Sequence, residues 1–435
     1  MIEPIALPRG AVLLEEAAEG ARSFAVGFWF PLGSRHEASS ERGFVHFVEH
    51  MVFKGSARRS AEDFAREIDR VGGYLNAFTE RDCLCFHCAV PAAHWRLALD
   101  VLADLVFGAV FPAAEFEREK SVIVSEILAA GDDPEEASHD ALAARIWAGD
   151  PISLKIAGET EDIERTSREA LYEFYRRRVR PEHLIVSVSG PIPAGEVALE
   201  LDRLFAALPA ENGANQTYPV DTLPPFKAIN EYLTASIAQV YLHEAVQMAA
   251  PPLPDDYYVF SVLNGALGES MSSRLFQDLR ERRGLCYSVY SSFSVDRGMG
   301  LWFASASSSV RLFPKLLEGL DRQLERLAGG GDGSMTEEEV AESVSRLAGS
   351  FDLALEDPDY RMRRLARQMI NEGIVLEAGE AREKMLRVTK AEVDELAHRL
   401  FTGVARARFA YGRKSAAVER AMLAGGVASA GLGRG

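Results

Sequence analysis

No uninterrupted apolar run in this 435-residue sequence approaches the ~18 residues of a membrane-spanning helix, so insertion into a bilayer is not expected. The opening residues, MIEPIALPRG, carry neither the basic nor the apolar stretch of a secretory leader, which disfavours export. Cysteine is scarce: there are four, three of them crowded at Cys83, Cys85 and Cys88, the pattern of reduced thiols rather than of a disulfide framework. A cytoplasmic setting is therefore predicted. Positive charge is also short, since 48 Lys and Arg against 65 Asp and Glu leave a formal net charge of −17. That balance repels nucleic acid and anionic lipid at long range and excludes both from the expected partners. With 35 Gly and 19 Pro, neither a fibre nor a low-complexity chain is indicated.

What is present is a folded, multidomain composition. The hydrophobic fraction is 47% and the charged fraction 26%, and the length is about three times a common domain of roughly 150 residues. Strand-like and helical segments follow one another without a strict βαβ rhythm, which predicts an α+β fold. A polar stretch from Leu208-Pro-Ala-Glu-Asn-Gly to Leu223-Pro-Pro separates two apolar halves. Each half opens on a strand (Phe24 to Phe30; Ile237 to Leu242), continues through a helix, and then has a longer strand (Leu75 to Val90; Ser288 to Phe293). Two similar domains, each a mainly antiparallel sheet packed with helices, are expected at 1–210 and 228–420, with a linker at 211–227 and a flexible tail at 421–435. Thr336 and Glu339 read as a capping box.

The stretch that carries chemistry is Gly43-Phe-Val-His46-Phe-Val-Glu49-His50-Met-Val-Phe-Lys54-Gly55. Its apolar periodicity predicts a helix, with Ser40 as N-cap and Gly55 just past the end. At about 100° per residue, His46, Glu49 and His50 share one face. Imidazoles at i and i+4 stand roughly 5–6 Å apart at Cβ, close enough for both to reach one ion at the ~2.0–2.1 Å of a zinc–nitrogen bond. The neighbouring apolar residues bury this helix, and polar groups inside it need a compensating partner. A hydrolytic zinc takes a third protein ligand, which spacing alone does not select among 65 acids. One helix, Glu115 to Ala130, offers Glu119 and Glu126 on its apolar stripe, two turns apart.

These motifs together resemble the pitrilysin/insulinase family of zinc peptidases, whose H-x-x-E-H signature defines the inverzincins. The resemblance runs from Gly33-Ser-Arg-His-Glu37 through the histidine helix, Gly72-Gly-Tyr-Leu-Asn76-Ala-Phe-Thr79 and Glu119 to Glu126, then Met271 to Tyr287 in the second half. The short length is similar to that of the mitochondrial processing peptidase subunits. The family pattern implies His46, His50 and Glu126 as ligands of one Zn2+ per chain, Glu49 as general base and Glu119 as a supporting acid. It further implies Arg280 and Tyr287 as groups that hold substrate and the tetrahedral intermediate, and Asn76, Ala77 and Phe78 as a strand that pairs with the substrate peptide. The activity implied is zinc-dependent endopeptidase cleavage of unfolded peptides in a chamber closed by two chains. The presence of both halves of the machinery in one chain favours a homodimer over a heterodimer. A non-catalytic scaffold or processing-complex subunit of the same fold is the alternative. Cys83, Cys85 and His87 alternate along one strand face, but that span is too long for a single ion, and they read as ordinary buried residues.

Overall fold

The computed structural model describes residues 1–208, 223–249, 254–296 and 298–425. They form two compact units that are not contiguous in sequence. The first holds Met1–Asp132, the described residues of Leu154–Val220, and Leu353–Ala378; the second holds Asp133–Ser153 and the remaining described residues. Each half of the chain thus lends a segment to the other half's unit. The expected linker lies outside the described residues as far as 222. Of the expected tail, residues 421–424 complete the helix Ala416–Ala424, with Met422 buried, and 426–435 lie outside the described residues.

The first unit is built on six strands: β1 (Ile5–Ala6), β2 (Val12–Ala17), β3 (Ser23–Phe30), β4 (Tyr74–Thr79), β5 (Leu84–Pro91) and β6 (Ile185–Gly190), in the order β1-β2-β6-β3-β5-β4. Only β2 and β6 run parallel. In the second unit, β7 (Asn230–Thr234), β8 (Gln239–Ala249), β9 (Ser288–Asp296), β10 (Met299–Ser309) and β11 (Arg406–Gly412) follow the order β7-β11-β8-β10-β9, again with one parallel pair, β7 and β11. Strand for strand this repeats β2-β6-β3-β5-β4, so the two units share one topology and the α+β assignment stands.

One expected element is corrected. Leu75 to Val90 is not a single strand but the hairpin β4–β5, because the polar Arg81-Asp82 pair turns the chain and the Glu80 N–H donates to the Cys83 carbonyl at 2.8 Å. This turn makes β4 the edge of the sheet.

The strand β3 is buried on both faces. Phe24, Val26, Phe28 and Phe30 enter the main core, while Ala25 and Trp29 pack with Met362, Leu365, Ala366 and Ile370 of the helix Pro358–Glu372. Gly27 permits this close approach, since a Cβ there would lie 2.5 Å from the Met362 sulfur. The helix is also held by charge: His87 Nδ1 lies 3.2 Å from Asp359, Arg363 Nη2 lies 3.0 Å from His87 Nε2, and Arg364 donates to Glu16 at 2.8 Å. Cys85 and His87 share the face covered by this helix, whereas Cys88 points into the main core. In the second unit, Leu142, Ala143 and Ile146 of the helix Pro134–Ile146 pack against Ala245, Ala407 and Phe409 of its sheet. The Thr336–Glu339 capping box forms reciprocally, at 2.7 and 3.1 Å.

Candidate metal centre

The helix Phe44–Val52 begins at Gly43, whose φ of 78° is the left-handed conformation that glycine adopts without strain. A Cβ there would lie 2.6 Å from the Ala157 carbonyl oxygen. The turn brings the Glu37 carboxylate onto the helix start, where it accepts from the Gly43 N–H at 2.8 Å and the Val45 N–H at 2.7 Å. Ser40, the expected cap, is exposed, and Glu37 takes that role from outside the local sequence window. Burial pushes the Glu37 carboxyl up to about 8 in spite of those two donors. Phe44, Val45, Phe47, Val48, Met51 and Val52 are buried, while His46, Glu49 and His50 are partly exposed along one face.

The helix Ala113–Asp132 packs against that face. Glu126 Oε2 lies 3.4 Å from His50 Nε2 and 3.9 Å from His46 Nε2; Glu119 Oε2 lies 3.0 Å from His50 Nδ1, and its other oxygen lies 2.7 Å from Lys54 Nζ. His46, His50 and, just past the helix end, Lys54 meet 126–119 of the other helix in that order, so the two run antiparallel. Only Glu119 is buried, at 4% exposure. Glu126, expected on the buried stripe, has a side chain 48% exposed. Ile123 and Ile127 hold the apolar line beside it and leave Glu126 at the margin where the histidines also meet solvent.

One ligand atom each from His46, His50 and Glu126 lies within 4.8 Å of the others, the one such cluster among the described residues. The donor set suits zinc. Burial, reinforced by His50, depresses the His46 imidazole to about 4, so it stays neutral as a metal ligand must. Among the described residues no lysine or arginine forms a salt bridge with Glu126; its carboxylate approaches the two imidazoles. Two nitrogens and one carboxylate leave a position open for water. His50 Nδ1 is oriented by Glu119, whereas His46 Nδ1 is buried without a hydrogen-bond partner among the described residues.

Glu49 sits on the same helix face, and its Oε2 accepts from the Thr79 hydroxyl at 2.5 Å. Burial raises its carboxyl above the usual range, opposed by the Thr79 bond. Thr79 ends β4, so the edge strand lies directly beside this helix. Cross-strand register places Leu75, Ala77 and Thr79 on the helix side, and Tyr74, Asn76 and Phe78 on the opposite side. Of the three residues expected to meet substrate, only Ala77 therefore turns its side chain toward the helix. Phe78 packs edge-on against Trp29 at 5.4 Å and under the Arg363 guanidinium at 5.0 Å. Since the Glu80 N–H points to β5, alternation turns the N–H groups of Leu75, Ala77 and Thr79 toward the open edge. The Ala77 N–H is met there by the Asn76 side chain at 2.9 Å.

Arg280 and Tyr287 belong to the second unit. Arg280 lies in the π-helical turn Phe276–Arg282, its guanidinium 4.6 Å from the Phe276 ring centre and 6.0 Å from that of Tyr287. The pair is brought together, and Tyr287 stands 76% exposed. Sequence reasoning assigned no role to Glu37, Lys54 or Thr79. All three lie inside the quoted motifs, but none falls at a spacing that announces its partner.

Residues 11–160 match the insulinase (peptidase family M16) description, and residues 165–347 match the peptidase M16 inactive domain. An uncharacterized zinc protease from Mycobacterium leprae is 32% identical over 401 residues, covering 91% of this chain and 88% of that one. The uncharacterized zinc protease YmxG of Bacillus subtilis is 31% identical, covering 92% and 96%. Among solved structures, a peptidase M16 inactive domain from Pseudomonas fluorescens aligns with a TM-score of 0.84 at 18% identity, covering 95% of this chain and 99% of that one. A protease from Helicobacter pylori aligns with a TM-score of 0.83 at 17% identity, covering 94% and 99%. The chain belongs to peptidase family M16, among relatives named as zinc proteases.

Proposed function

We propose that the chain is a zinc-dependent endopeptidase that hydrolyses unfolded peptides in a chamber formed by two copies, with one zinc per chain. The observation that carries this reading is the convergence of His46, His50 and Glu126 within 4.8 Å beside Glu49 on the same helix face. A zinc ion held by the three would supply a Lewis acid for water and for the scissile carbonyl. Glu49 takes the proton of the attacking water, with Thr79 occupying one carboxylate oxygen and leaving the other for that proton. The open edge of β4 takes an extended peptide by backbone pairing, a mode that reads little sequence, and the Asn76 amide oxygen yields the Ala77 N–H to the incoming carbonyl. Tyr287 and Arg280 donate to the developing oxyanion. Glu119 acts behind His50 rather than on substrate.

The competing reading, a non-catalytic scaffold, draws on the inactive-domain match, but that match covers 165–347, whereas His46, Glu49, His50 and Glu126 all lie within 11–160. Each chain carries one metal half and one Arg/Tyr half, which favours a homodimer in the cytoplasm over a pairing with a related chain. The test is zinc content together with digestion of a mixed library of unfolded peptides. About one zinc per chain and cleavage abolished by chelation are expected. Rapid cleavage of a stable folded protein at internal sites would contradict the chamber, and metal-free protein with full activity would contradict the zinc reading.

A further inference from the structure

The helix Phe44–Val52 ends two residues before Lys54, which stands at i+4 from His50 just as His50 stands at i+4 from His46. We infer that Lys54 is a positioning residue for the metal centre, acting on His50 through Glu119; the inference rests on the zinc reading above. Glu119 bridges the two: Oε2 meets His50 Nδ1 at 3.0 Å and Oε1 meets the Lys54 ammonium at 2.7 Å. Each carboxylate oxygen thus has one strong partner, and the group cannot turn to improve one contact without losing the other.

A desolvation argument makes Lys54 necessary rather than incidental. A carboxylate at 4% exposure, set between the core residues Phe116 and Ile123, needs a compensating partner for both oxygens, and the His50 ring reaches only one of them. Lys54 is held to this task by its backbone. Its N–H donates to the Met51 carbonyl at 3.1 Å, and Gly55 bridges to Ser60 in a turn that closes the helix. The ammonium lies beyond Glu119 from His50, so its effect reaches the ligand set through the orientation of the Glu119 carboxylate and, through it, of the His50 ring.

The test is the zinc dissociation constant, measured by chelator competition on the full chain for wild type, Lys54→Met, Lys54→Arg, Glu119→Gln and the Lys54→Met/Glu119→Gln double variant. Lys54→Met is expected to weaken zinc about tenfold, within the range of lost outer-shell partners, and Lys54→Arg to recover most of that loss. The double variant is expected to bind as Glu119→Gln does, because Lys54 has no route to the ion other than Glu119. Wild-type affinity in Lys54→Met, or a double variant whose loss is the product of the two single losses, overturns the inference while leaving the zinc reading intact. A wild-type chain that takes up no zinc overturns both. Thermal unfolding of the zinc-free variants separates a folding defect from weakened binding, and a Lys54→Met chain that unfolds is replaced in the cycle by Lys54→Gln.

Discussion

The Thr79 hydroxyl donates to Glu49 Oε2 at 2.5 Å, joining the last residue of the open edge strand β4 to the histidine-bearing helix. The strand proposed to hold peptide therefore also holds the side chain proposed to move the proton.

Thr79→Val keeps the shape of the side chain and removes the donor. Peptide turnover is expected to fall roughly ten- to hundredfold with little change in KM, because the base loses its orientation while the peptide-binding edge remains. Thr79→Ser should restore most of it, and zinc content should match wild type in both variants. Unaltered turnover in Thr79→Val, measured by steady-state hydrolysis of a fluorogenic peptide, would remove Thr79 from the mechanism.

Asp359 links the helix Pro358–Glu372 to β5 through His87. Burial alone would raise its carboxyl, but the bonds from His87 and Arg363 outweigh it and hold the group down at about 2. A folded value below the unfolded one, near 3.9, means that the stabilisation is complete above roughly pH 4 and is lost as pH falls through about 2. Its size is of order 2 kcal/mol. Denaturant unfolding of wild type and Asp359→Asn should give a stability gap at pH 5 that has mostly closed by pH 2. A gap that stays constant across that range contradicts the assignment.

If two chains complete each other's sites, inactive Glu49→Gln chains mixed with inactive Tyr287→Phe chains should regain up to about a quarter of wild-type activity. Random exchange makes about half the dimers mixed, each with one intact site of two. No recovery after subunit exchange verified by mass spectrometry would place the Arg280 and Tyr287 contribution within a single chain or outside the reaction.

The legible parts of this protein were those governed by local spacing. His46, Glu49 and His50 share a helix face because helical geometry requires it, and Glu119 and Glu126 fall two turns apart for the same reason. The α+β class followed from alternating strand and helix patterns. The β4–β5 hairpin was hidden because Glu80-Arg81-Asp82 lacks the glycine or asparagine that marks most tight turns. Glu37 was hidden because its capping role depends on the left-handed turn at Gly43, which folds a residue six positions upstream onto the helix start. The helix Pro358–Glu372 carries a clear apolar stripe, but a stripe states only that a face is buried, not that β2, β3 and β6 of the other half bury it. Glu126 shows the limit of periodicity at a site: it falls on the predicted stripe yet remains half exposed, at the margin where a ligand would bind.

The most direct measurement compares zinc-loaded wild type and zinc-loaded Glu49→Gln on the same mixed library of unfolded peptides, with metal content determined on the same samples. Glutamine is nearly isosteric with glutamate but cannot accept the water's proton. Equal zinc in both, with cleavage by wild type and none by Glu49→Gln, is the predicted result. Equal cleavage by both, or no cleavage by a fully loaded wild type, would contradict the assignment of this centre as a zinc peptidase that uses Glu49 as its base.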